Sequence, residues 1–187
     1  MSVKRSLPVA ALVMVLLAAW APASLGQIID TGSRVFDCSE IPPDVARIGP
    51  GWKQPAQDIK VLAAAGDNQP IPLATKLHFD LLPMEQITIV WKPKNPRWMK
   101  NNGGLLSFRT GKAGRYWFVL DRYVWLEILP VDGSSPALQS AKSHAAIDAC
   151  YGTGKNVAFD LAADTHYWLQ MSGTEKVPTD LLIMPPQ

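Results

Sequence analysis

The side chains able to do chemistry are few and scattered. His78, His144 and His166 are the only imidazoles. Neither His-x-His nor His-Glu-x-x-His occurs, so a site of three histidines, or of two with Glu127, can only assemble in three dimensions. Histidines dispersed over a sheet are usually surface residues. Gly152-Thr153-Gly154-Lys155 is similar to a fragment of a phosphate loop. It lacks the leading glycine and the hydroxyl residue after the lysine, so a turn entering a strand accounts for it better. Ser134, Ser135 and Ser143 have no nucleophile elbow around them. The carboxylates form no local acid/base couple, although those of glycosidases need not be neighbours in sequence. No catalytic, cofactor-binding or metal-ligating residue is assigned, and no cofactor is expected.

Aromatic residues are the more suggestive feature. Outside the N-terminal segment stand Trp52, Trp91, Trp98, Trp117, Trp125 and Trp168. Trp117 and Trp168 each follow a tyrosine, and Trp125 alternates with Val124 and Leu126. If the Tyr/Val/Leu faces form a core, Trp117, Trp125 and Trp168 face outward. Such a surface can stack on sugar rings or form a protein interface. The opposite outcome is that both faces are covered. The stretch Trp91–Gly104 is basic and punctuated by proline, with tryptophan at Trp91 and Trp98. It is expected to be a loop able to contact an anionic envelope polymer, though most such loops are merely solvated.

The chain has 187 residues and a formal charge of +2. Lys4 and Arg5, then an apolar run from Leu7 to Ala21, then Pro22-Ala-Ser-Leu-Gly26, follow the three-part plan of a secretory signal. The run is about 15 residues, short of the ~20 that span a bilayer. Cleavage after Gly26 is preferred over cleavage after Ala23. It leaves 161 residues with 16 basic and 16 acidic side chains, a formal charge of zero. A neutral domain carries no nucleic-acid footprint. No later run is long enough for a stable membrane span. Residues 1–26 are thus expected to be a signal peptide and 27–187 a single periplasmic or secreted domain. In an exported protein the only two cysteines, Cys38 and Cys150, are expected to form a disulfide. Cys-x-x-Cys spacing, which a redox pair favours, is absent.

These residues must be held by a mostly β framework. Residues 39–72 are rich in proline and glycine, with one helix expected from Pro55 to Ala65, where Ile59, Leu62 and Ala63 share a face. Short alternating runs then read as strands: Leu73–Leu81, Gln86–Trp91, Gly104–Arg109, Gly114–Leu120, Tyr123–Leu129, Asn156–Leu161, His166–Ser172 and Thr179–Met184. The expected fold is an antiparallel β-sandwich or jelly roll with one short N-terminal helix. Residues 106–120 align without gaps on 157–171, with Phe108, Tyr116 and Trp117 echoed by Phe159, Tyr167 and Trp168. Duplication within a binding module and convergence of two hairpins both explain this; shared hairpin chemistry favours convergence.

Several segments carry a resemblance. They are Cys38, the stretch 55–65, Gly103-Gly-Leu105, Gly114-Arg-Tyr116, Tyr123-Val-Trp125-Leu-Glu127-Ile, Cys150-Tyr-Gly-Thr-Gly-Lys155-Asn-Val157-Ala-Phe159-Asp-Leu and Leu169-Gln-Met-Ser172-Gly173. In that order the chain resembles a family of small exported proteobacterial proteins. Some members carry the automatic name homogentisate 1,2-dioxygenase, but the His/Glu/His iron motif of that enzyme finds no match here. No catalytic residue is transferred. The second half is distantly similar to pre-peptidase C-terminal β-sandwich modules. The function expected is non-enzymatic binding of a ligand or protein partner in the cell envelope. The alternatives are a metal-dependent dioxygenase-like enzyme and a carbohydrate-binding module.

Overall fold

The alternation of apolar and polar residues from Gly104 onward builds two stacked sheets. A computed structural model of the chain describes residues 38–66, 69–92, 99–133, 135–137, 139–141, 145–175 and 178–187. The signal-like segment 1–26, Trp98, Ser134, Ser143 and His144 lie outside the described residues. The strands are β1 (Gln57–Asp58), β2 (Lys76–Asp80), β3 (Leu82–Pro83), β4 (Asn102–Arg109), β5 (Gly114–Leu120), β6 (Trp125–Pro130), β7 (Gln139–Ala141), β8 (Lys155–Leu161), β9 (His166–Thr174) and β10 (Pro178–Met184). Six form one sheet in the order β1-β2-β10-β5-β8-β7, and four form the other in the order β3-β4-β9-β6. All pairings are antiparallel except β1 with β2. The fold is a mainly β sandwich, and its described elements belong to one compact unit.

The inner faces supply the core. Leu106 and Phe108 on β4, Tyr116 and Phe118 on β5, Leu126 and Ile128 on β6, Val157 and Phe159 on β8, and Tyr167 and Leu169 on β9 all pack there. The echoed segments have an unexpected geometry. Neither is a hairpin within one sheet. β4 and β5 lie in different sheets, as do β8 and β9, so each unit is an arch between layers. The arches then pair with each other: Phe108 lies opposite Tyr167, and Tyr116 opposite Phe159. Their turns also bond. Thr110 Oγ1 donates to the carbonyl of Ala162 at 2.7 Å and accepts from the Thr165 amide at 2.9 Å.

The six-stranded sheet has a second covered face. Trp117, Val119, Ala158, Leu182 and Met184 point away from the sandwich core and meet Ile41, Val45, Ile48, Trp52 and Ile147. These come from α1 (Pro43–Ala46), α2 (Ile48–Trp52), α3 (Ala145–Tyr151) and their flanks. Cys38, in a 3-10 turn, is bonded to Cys150 in α3, with Cα atoms 5.7 Å apart. The disulfide thus ties the two parts of this helical layer, and it is compatible with an oxidising compartment.

Two expected elements are absent. Residues 55–65 are not helical. Ile59 and Val61 alternate toward the core, the Ile59 amide donates to His78, and Leu62 exchanges bonds with Leu105. This segment laces the edge of one sheet to the edge of the other, which the apparent helical spacing concealed. Residues 86–91 form no strand ladder; the amide of Thr88 donates to Ala63. Among the described residues no helix is long and apolar enough to cross a membrane.

Candidate functional site

Among the described residues, the four-stranded sheet has no helical layer on its outer face, unlike the six-stranded one. The strand alternation places Trp125 and Glu127 of β6, His166, Trp168, Gln170 and Ser172 of β9, and Ser107 and Arg109 of β4 on that face. Trp168 lies across from Leu129 on one side and Ser107 on the other, and is 5% exposed. Trp125 is half-buried, and its indole donates to Glu127 Oε1 at 2.7 Å. Trp117, at 2% exposure, lies under the helical layer instead. The expected outward surface of Trp117, Trp125 and Trp168 is therefore corrected. Trp117 faces a second core, Trp168 is a buried floor, and Trp125 alone keeps a partly open face.

Other aromatic residues complete this face. The amide oxygen of Gln170 accepts from the backbone amides of Val90 and Trp91 at 2.8 and 3.1 Å, and its nitrogen donates to the Trp91 carbonyl at 2.7 Å. One buried side chain thus clamps residues 90–91 over the middle of the sheet, where Gln170 lies opposite Glu127. Trp91 is 41% exposed and Tyr123, just before β6, is 54% exposed. A single glutamine inside an apolar run gives no sequence sign of such a clamp.

At the far end of the face a cleft of about 370 Å³ opens. Arg109, Val131, His166 and Trp168 line it from the sheet, and Gly66, Gln69 and Pro70 from the segment before β2. Arg109 and His166 are cross-strand partners, and the His166 and Trp168 rings are 6.1 Å apart. Burial, reinforced by the Arg109 charge, lowers the pKa of His166, which favours the neutral imidazole. Its Nε2 is buried and finds no hydrogen-bond partner among the described residues.

Lys155 supports the other end from inside the sandwich. Its ammonium donates to the Val124 carbonyl and lies 4.6 Å from the Tyr123 ring centroid and 5.8 Å from that of Trp125. Burial lowers its pKa to about 8, partly opposed by Glu127. Gly154 permits this approach, because a Cβ there would lie 2.5 Å from Asp121 O and from Arg122 Cα. The Gly-Thr-Gly-Lys sequence is thus a packing device: Gly152 caps α3 at φ +69°, and the Thr153 hydroxyl donates to Asp148.

No family model and no curated protein matches this chain.

The two described histidines, His78 and His166, do not converge. His78 is on β2 of the six-stranded sheet, and its Nδ1 lies 2.6 Å from Asp180 Oδ1, which raises its pKa. The other Asp180 oxygen accepts from Lys76 at 2.9 Å. His166 is on the opposite sheet, and among the described residues no three His, Cys, Asp or Glu side chains are grouped to hold a metal ion. A second cleft, of about 430 Å³, lies along the β1–β2 edge and includes Asp58, Lys60, His78 and Asp80.

Proposed function

We propose that this chain is an exported, non-enzymatic β-sandwich that binds a glycan of the cell envelope along the outer face of its four-stranded sheet. One observation carries the reading. Among the described residues four large apolar side chains are exposed, Val90, Trp91, Tyr123 and Val131, and all four lie on or beside that face. Tyr123 precedes β6, Val131 follows it, and the other two are clamped above its neighbour β9. β6 is the outermost strand of its sheet and about 17 Å long at ordinary strand rise. Exposed rings spaced along such a length suit a chain of sugars. Glu127, only partly buried, interrupts the strip, whereas the centre of a protein interface is depleted of charge.

The signal-like plan of residues 1–26 and the Cys38–Cys150 disulfide support a periplasmic or secreted location. The resemblance of the strand and turn segments to exported proteobacterial proteins supports the same reading. A glycan array probed with the purified domain and with Trp91→Ala and Trp125→Ala variants tests it. Binding should fall about tenfold or more in each variant, which corresponds to about 1.4 kcal/mol. No bound glycan, or undiminished binding by both variants, contradicts the proposal.

A further inference from the structure

We propose that the bound glycan is acidic, and that the cleft between Arg109, His166 and Trp168 holds one of its carboxylates; this rests on the glycan reading above.

The internal symmetry of the sandwich provides the comparison. The 51-residue echo that relates Phe108 to Phe159 also relates Arg109 to Asp160 and Arg115 to His166. Arg115 and Asp160 are cross-strand partners on the six-stranded sheet and form an ion pair at 3.2 Å. Arg109 and His166 are partners at the equivalent place on the four-stranded sheet. There no carboxylate among the described residues completes the pair. Arg109 faces an imidazole where Arg115 faces a carboxylate, so its charge is left for an anion from outside the described residues.

The surroundings fit that anion. Among the described residues no carboxylate lines the cleft, and none lies within ion-pair distance of Arg109, whereas Arg115 and Arg122 are both paired. His166 Nε2 has no described partner. A planar guanidinium matches a carboxylate with two parallel bonds. Trp168 floors the cleft with an apolar ring. The chain between Glu85 and Asp121 carries seven basic residues and no acidic one. It includes β4 and the exposed Lys92 and Lys100. Glu127, the acid on this face, accepts from the Trp125 indole and interacts with Lys155.

The test uses oligogalacturonate and hyaluronan oligosaccharides, each as the free acid and as the methyl ester. Affinities are measured for the wild type, Arg109→Gln and Trp125→Ala. Arg109 is exposed, so its replacement spares the core. At least one free acid should bind about tenfold tighter than its ester. Arg109→Gln should remove that difference by weakening the free acid about tenfold. Equal binding of acid and ester, unaffected by Arg109→Gln but weakened by Trp125→Ala, overturns the carboxylate site and leaves the glycan reading standing. Binding of neither acid overturns the acidic-glycan inference, and the neutral members of the glycan array then decide the broader reading alone.

Discussion

The ring of Phe108 stacks on that of Tyr167, with centroids 5.5 Å apart and planes 18° apart. Phe108 also meets Phe118 edge-on at 5.6 Å, and Phe118 meets Phe159 at 5.4 Å. The aromatic chain therefore runs from one sheet to the other through the two arches. Each arch fixes its tyrosine hydroxyl: Tyr116 donates to Lys112 O at 2.7 Å, and Tyr167 accepts from the Ala162 amide at 3.1 Å.

Truncating this chain should cost more than losing its polar ends. Phe108 is fully buried, so Phe108→Ala should lower unfolding free energy by about 3–5 kcal/mol. Tyr167→Phe removes one hydrogen bond and should cost about 1 kcal/mol. Urea unfolding of both variants checks the ranking; equal losses contradict it.

Much of this framework is legible in the sequence, because period-two alternation is a local property. Gly114–Leu120 is a strand with those bounds, and Tyr123, Trp125 and Glu127 oppose Val124, Leu126 and Ile128 as the pattern requires. What could not be read is what covers an outer face. Asn156 and Trp117 look solvent-facing until α1–α3 are seen to cover that side of the sheet. Those helices have only four to seven residues, too short for a periodic signal, and α1 and α2 carry prolines and glycines that read as turns. Arg109 escaped notice because its significance lies in its partner across the sheet, 57 positions away in sequence.

Lys155 should make stability rise with alkaline pH. Its pKa is about 8 in the fold and near 10.4 in an unfolded chain. Between those values the unfolded chain holds more protons, so raising the pH favours the native state. Relative to Lys155→Met, the wild type should gain about 2 kcal/mol between pH 7.5 and 10. Parallel stability profiles of the two proteins contradict this.

The two described histidines should titrate on opposite sides of the ordinary value. The hydrogen bond with Asp180 raises His78, so stability from that pair is complete below pH 6.5 and is lost as pH rises through the folded pKa. Burial of Asp180 works against its charge, but bonds from His78 and Lys76 outweigh it and hold its pKa down. Burial lowers His166. Histidine NMR titration should place His78 above 6.5 and His166 below it, with His78 moving back toward 6.5 in Asp180→Asn. A His78 midpoint at or below 6.5 contradicts the assignment.

Reduction of Cys38–Cys150 opens a connection across 112 residues. In the chain-entropy description that costs about 4–5 kcal/mol, with less expected where the unfolded chain keeps structure. Both cysteines sit in the helical layer, so that layer should loosen first. Hydrogen exchange after reduction should accelerate in residues 41–52 and 145–151 before it does in β4, β5, β8 and β9. Uniform acceleration across both sheets contradicts this order.

The binding face is most directly tested by following the indole N–H resonances of the tryptophans while an acidic oligosaccharide is added. Trp91, Trp125 and Trp168 belong to the outer face of the four-stranded sheet, and Trp52 and Trp117 to the helical layer on the other side. The expected result is saturable shifts for Trp91, Trp125 and Trp168, with Trp52 and Trp117 unmoved. Shifts confined to Trp52 and Trp117, or no shift at any tryptophan, would contradict the assignment of binding to this face.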